Sequence, residues 1–169
     1  HSVAGYADFL GAALDVLGIE RATFVLHDLG GPIGLRWITG NLDRVAAVGL
    51  INTGILPGYR WHRMARVWQT PLLGEVAQAV TIGPVFRRQI MSAEPRSLPR
   101  EFVDEMYGNF DRRTRAAVLG IYRDLKAAGR PDEQSARHMA AADLPGLVIW
   151  GASDPYLPVS FAAKQKLIL

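Results

Sequence analysis

Cysteine is missing from all 169 residues. Its absence excludes a disulfide framework, thiol catalysis and Cys-ligated zinc, and it fits a cytoplasmic protein. Long hydrophobic runs are missing too. No stretch approaches the roughly 20 apolar residues that span a bilayer, so no membrane association is expected. The opening residues show no charged-then-apolar signal pattern. No pair of histidines or carboxylates has metal-ligand spacing, and neither a metal nor a cofactor is expected. Imbalance of charge is slight, with 19 Lys+Arg against 16 Asp+Glu and a net charge of +3. The basic excess lies in residues 57–137, where 14 basic residues meet 9 acidic ones. There the two signs interleave at helical spacing (Arg100, Asp104; Asp111, Arg115). That reads as a solvated helix face rather than a nucleic-acid surface.

What is present is an alternation of helical and extended patterns. Val3, Tyr6, Phe9, Leu10, Ala13, Leu14 and Leu17 recur at helical spacing, with Ser2 as N-cap and Gly18 as the stop. Residues 22–26 form a short apolar strand, then the turn His27-Asp28-Leu29-Gly30-Gly31, then a helix from Pro32. Residues 45–51 read as a second strand and 146–150 as a third, followed by a turn at 151–155 and a helix over 159–169. Residues 57–142 are Arg-rich, broken by prolines, and helical without a convincing strand. Alternation of this kind predicts an α/β fold, a parallel sheet with helices on both faces. The helical segment interrupts it as an insertion. Three strands make a small sheet, and pieces are expected to be missing at both ends.

A strand, a sharp turn and a helix, with a reactive side chain at the apex, form a nucleophile elbow. Its apex here is Asp28, and Gly30 and Gly31 supply small neighbours. A carboxylate can attack an sp³ carbon, displacing halide or opening an epoxide, to give an ester that water then cleaves. The N–H groups of Leu29 and Gly30 at the following helix start are placed to hold an oxyanion. The bland alternative is a turn or N-cap Asp. A dinucleotide turn is disfavoured, because Gly30-Gly31-Pro32-Ile33-Gly34 lacks the Gly-x-Gly-x-x-Gly spacing and an acidic partner.

His-Asp-x-Gly-Gly after an apolar strand resembles the elbow of the Asp-nucleophile α/β-hydrolases, the haloalkane dehalogenases, fluoroacetate dehalogenases and epoxide hydrolases. The helix 3–17 before it, and the strand and loop 147–158 with Asp154, are similar to further parts of that family. The resemblance implies an α/β-hydrolase fold with a partial core at 1–56 and 143–169 and a helical cap at 57–142. It implies Asp28 as nucleophile and Asp154 as the acid orienting a histidine base, which would lie beyond Leu169. Water and a small apolar molecule would be the substrates. Leu29 departs from the family, which places Trp or Arg there as a side-chain donor. Asn52, Trp61 and Trp68 are the residues that could replace it, and Tyr59, Tyr107 and Tyr122 are candidates for a tyrosine donating to an epoxide oxygen or for cap packing. Trp61 and Trp68 are expected on one helix face. The expected reaction is dehalogenase-like cleavage of a carbon–halogen bond; epoxide hydrolysis and a non-catalytic binding protein are the alternatives. Without the base, the isolated segment is expected to be inactive.

Overall fold

Three apolar segments too short for helices pair side by side in the computed structural model, which describes residues 1–56, 58–93, 98–127 and 133–169. Strand β1 (Ala22–His27), β2 (Val45–Ile51) and β3 (Gly146–Ile149) form a parallel sheet in the order β1-β2-β3. In register, His27 lies beside Ile51, which lies beside Ile149. All three strands therefore end at one edge, with β2 in the middle.

Helix α1 (Val3–Val16) is capped by Ser2, whose hydroxyl accepts from Gly5 N–H, and stops at Gly18 with φ +66°. Its buried stripe is Val3, Ala7 and Leu14. Phe9 and Leu17, expected in that stripe, are about 70% exposed (71% and 70%). Helix α2 (Gly30–Thr39) starts two residues before the expected Pro32, which sits in its first turn. Trp37 and Ile38 of α2 pack with Phe24 and Leu26 of β1, Val48 and Leu50 of β2, and Met139 of α8 (Glu133–Ala141) in one apolar core. The other sheet face is open: Val25 is 67% exposed and so, across Gly49 in the register, is Leu147 at 60%.

The chain divides into two compact units, residues 2–60 with 129–169, and residues 61–128 with His1. The first holds the sheet, and α8 belongs to it. The second is helical: α3 (Arg63–Trp68), α4 (Leu73–Val80), α5 (Gly83–Ala93), α6 (Arg100–Gly108) and α7 (Arg112–Ala127). Arg123 of α7 grips Glu75 of α4 with two 2.8 Å bonds. Within it, the charges that interleave along the sequence find partners elsewhere. Arg87, not Arg100, pairs with Asp104. Asp111 accepts from Thr114 N–H at 2.8 Å, while Arg115 donates to the Phe110, Gln78 and Thr81 carbonyls. No described helix is long and apolar enough to cross a membrane.

The expected helix over 159–169 is instead two 3₁₀ turns, Val159–Phe161 and Ala163–Leu167. Gln165 donates no α-helical backbone bond. Its side-chain Nε2 takes the Phe161 carbonyl at 2.9 Å, the acceptor an α-helix would assign to its backbone N–H. That N–H goes to Ala162 instead.

Candidate active site

The β1–α2 turn is tight, and two hydrogen bonds to one carbonyl fix it. Asp28 sits at φ +46°, a left-handed conformation that few residues other than Gly, Asn and Asp adopt. Its carbonyl accepts from Gly31 N–H at 2.9 Å and from the Thr53 hydroxyl at 2.7 Å. The helix cap position falls on Leu29, which makes no side-chain cap bond. Asp28 itself is exposed at the apex and Leu29 half-buried.

Small residues are required here, though only in part those expected. A Cβ on Gly31 would lie 1.8 Å from Thr53 Oγ1, and one on Gly34 would lie 2.4 Å from Leu26 Cδ2. One on Gly30 would meet nothing within 4 Å. Gly34 therefore explains how the large Leu26 is tolerated beside the elbow.

Asp154 lies in the loop after β3, half-buried. Its Oδ1 accepts from Tyr156 N–H at 2.7 Å and Leu157 N–H at 2.8 Å, closing a turn of its own. The Trp150 indole N–H clamps the same turn through the Leu157 carbonyl at 2.8 Å. Oδ2 accepts from Asn52 Nδ2. The amide orientation follows from the other end, since Asn52 Oδ1 accepts from Gly151 N–H at 2.9 Å. Asn52, at φ +46°, thus commits its oxygen and one N–H to the β3 loop.

Thr53 and Gln165 escaped the sequence reading. Gln165 is fully buried and bridges Ile55 N–H and C=O, both at 2.9 Å, anchoring the segment that follows Thr53. A buried hydroxyl or amide has no periodic signature, so only its neighbours reveal it.

The helical unit holds the remaining expected residues. Trp61 precedes α3 rather than sharing its face with Trp68, because His62 is the α3 N-cap, its Nδ1 accepting from Ala65 N–H at 3.2 Å. Both indoles nonetheless meet the Tyr122 ring, at 5.7 and 4.9 Å between centroids. Tyr107 packs on Phe86 at 5.5 Å. In the sheet unit, Tyr59 meets Phe161 edge-on at 6.2 Å.

The elbow at the carboxyl edge of a parallel sheet, with helices α1, α2 and α8 packed on it, is the α/β-hydrolase fold. Known proteins bear this out. A crystal structure of a haloalkane dehalogenase from Bradyrhizobium elkani superposes with a TM-score of 0.77 at 25% identity, over 99% of this chain and 62% of that one. An α/β-hydrolase fold protein from Burkholderia ambifaria gives 0.70 at 19% identity, over 97% and 60%. A lipase candidate from Acinetobacter baumannii gives 0.71 at 18%, over 99% and 56%. Among curated proteins, a haloalkane dehalogenase from Mycolicibacterium smegmatis is 26% identical over 95% of this chain and 54% of its own length. The dihydrolipoyllysine-residue acetyltransferase component of an acetoin cleaving system from Cupriavidus necator is 24% identical over 95% and 41%. The chain spans about half the length of these curated relatives. No family model matches it.

Proposed function

We propose that this chain carries the nucleophile and the orienting acid of a hydrolase that cleaves a small apolar substrate, in the manner of a haloalkane dehalogenase, through an ester on Asp28. The observation that carries the reading is Asp28 itself: an exposed carboxylate on a strained backbone at the apex of the elbow. Strain of this kind persists where surrounding contacts over-determine it, and here Thr53 and Gly31 both bind the Asp28 carbonyl.

In the first step an Asp28 oxygen bonds to the carbon as the carbon–halogen bond breaks, and halide leaves with the bonding pair. In the second, water attacks the ester carbonyl and gives its proton to a histidine. The Leu29 and Gly30 N–H groups at the start of α2 stabilise the oxyanion; it collapses, the expelled alkoxide takes the proton back from the histidine and leaves as the alcohol, and Asp28 gives up water's other proton to solvent. Asp154 orients that histidine, and residues 61–128 take the part of the inserted cap. Asp154 is suited to the role, because Oδ1 is spent on its own turn while Oδ2, among the described residues, is held by the Asn52 amide. Water is the co-substrate, and no cofactor is called for.

Leu29 carries no side-chain donor for a leaving halide, which is the observation favouring an epoxide as the alternative substrate. One experiment tests the ester. Turnover of 1-bromohexane, or of styrene oxide, in ¹⁸O-water by the protein that carries this chain should place ¹⁸O in the Asp28 carboxylate, read by peptide mass spectrometry. Turnover that leaves Asp28 unlabelled would sink the mechanism.

A further inference from the structure

The parallel register puts the residues after β2 between those after β1 and those after β3. Asn52 and Thr53 occupy that place, and their side chains diverge. Thr53 reaches toward β1 and donates to the Asp28 carbonyl at 2.7 Å, from a site only 2% exposed. Asn52 reaches toward β3 and holds both the Asp154 carboxylate and the Gly151 N–H. The positive φ of Asn52 turns the chain at this point. Two carboxylate positions 126 residues apart in sequence are thereby referenced to one dipeptide.

We propose that Asn52 and Thr53 are positioning residues, Thr53 fixing the elbow that presents Asp28 and Asn52 fixing the Asp154 carboxylate, so that Asn52 acts through Asp154 rather than as donor to a leaving group. The kinetic part of this proposal rests on the Asp28-ester reading. Each residue then controls a different step. Thr53 governs ester formation, because it aims the nucleophile. Asn52 governs ester cleavage, because it aims the acid behind the base. Small misplacements of reacting groups cost up to roughly 100-fold in rate.

The test uses rapid-quench mass spectrometry of the Asp28 peptide with 1-bromohexane as probe, in the full protein carrying this chain. Asn52→Gly removes the amide while suiting the positive φ. It should leave ester formation near wild type, slow ester cleavage roughly 10- to 100-fold, and let the alkyl ester accumulate. Thr53→Val should slow ester formation instead, and Thr53→Ser, which restores the hydroxyl, should recover it. Slowed formation in Asn52→Gly, or no change in either step, overturns the proposal. The Asn52–Asp154 pairing is tested independently of catalysis by the Asn52 side-chain amide resonances. They should move on Asp154→Ala and stay fixed when sodium bromide is added; the reverse overturns the pairing. Absence of any Asp28 ester in wild type and variants would overturn the hydrolase reading instead, and the amide resonances would still decide the pairing.

Discussion

Gly31 and Thr53 compete for the same space: a methyl group on the glycine would fall 1.8 Å from the threonine hydroxyl oxygen, which itself holds the Asp28 carbonyl. Gly31→Ala should therefore destabilise the protein by about 1–3 kcal/mol, the usual cost of overpacking a tight site. Urea unfolding of Gly31→Ala, Thr53→Ala and the double variant checks it. The double variant should be clearly more stable than the sum of the singles predicts, because Thr53→Ala removes Oγ1 and Cγ2 from the clash.

Asp28 holds its left-handed backbone at a cost that glycine does not incur. Asp28→Gly should relieve that backbone strain, while any ester chemistry at that position disappears. Thermal unfolding and the ¹⁸O experiment, run on the same variant, measure the two sides. A clear loss of stability would mean that the Asp28 side chain holds the turn together.

Gln165 satisfies two buried backbone groups of Ile55 and one of Phe161. Gln165→Leu keeps the volume but leaves all three without that partner. An unsatisfied buried polar group costs about 1–3 kcal/mol, so the variant should lose at least about 2 kcal/mol. Hydrogen exchange should rise at the Ile55 amide first.

Glu75 is held well below its ordinary carboxylate value of 4.5, down to about 2, by its bonds to the Arg123 guanidinium. Because the folded value is depressed, the stabilisation is present in full above the ordinary value and is lost as the pH falls from there toward 2. Both partners are partly solvent-exposed, so the effect is small and weakened by salt. Glu75→Gln should flatten the acid limb of the stability curve between those limits, and 1 M sodium chloride should shrink the difference between variant and wild type.

These results separate what local sequence specifies from what only register specifies. The strands at 22, 45 and 146 are apolar runs too short for helices, and Ser2 and Gly18 mark both ends of α1; each signal lies within a few residues of its effect. The placement of Asp28 and Asp154 was legible, because each follows such a strand in a turn. Thr53 was not. Its importance arises from lying beside Gly31 and Asp28 across a strand pair, more than twenty residues away along the chain. The turns after Val159 carry an apolar pattern that suits a helix, whereas the Gln165 N–H goes to Ala162 and its side chain is committed to Ile55 and Phe161, neither of which the local pattern reveals. The shared face for Trp61 and Trp68 failed because His62 begins the helix between them.

Leu26 and Gly34 share space across the β1–α2 packing. With 2.4 Å between a would-be Cβ at position 34 and the Leu26 Cδ2 methyl, a side chain at 34 needs the leucine to move or to shrink. Gly34→Ala should therefore be tolerated better alongside Leu26→Ala than the two single variants predict, and urea unfolding of all three checks it.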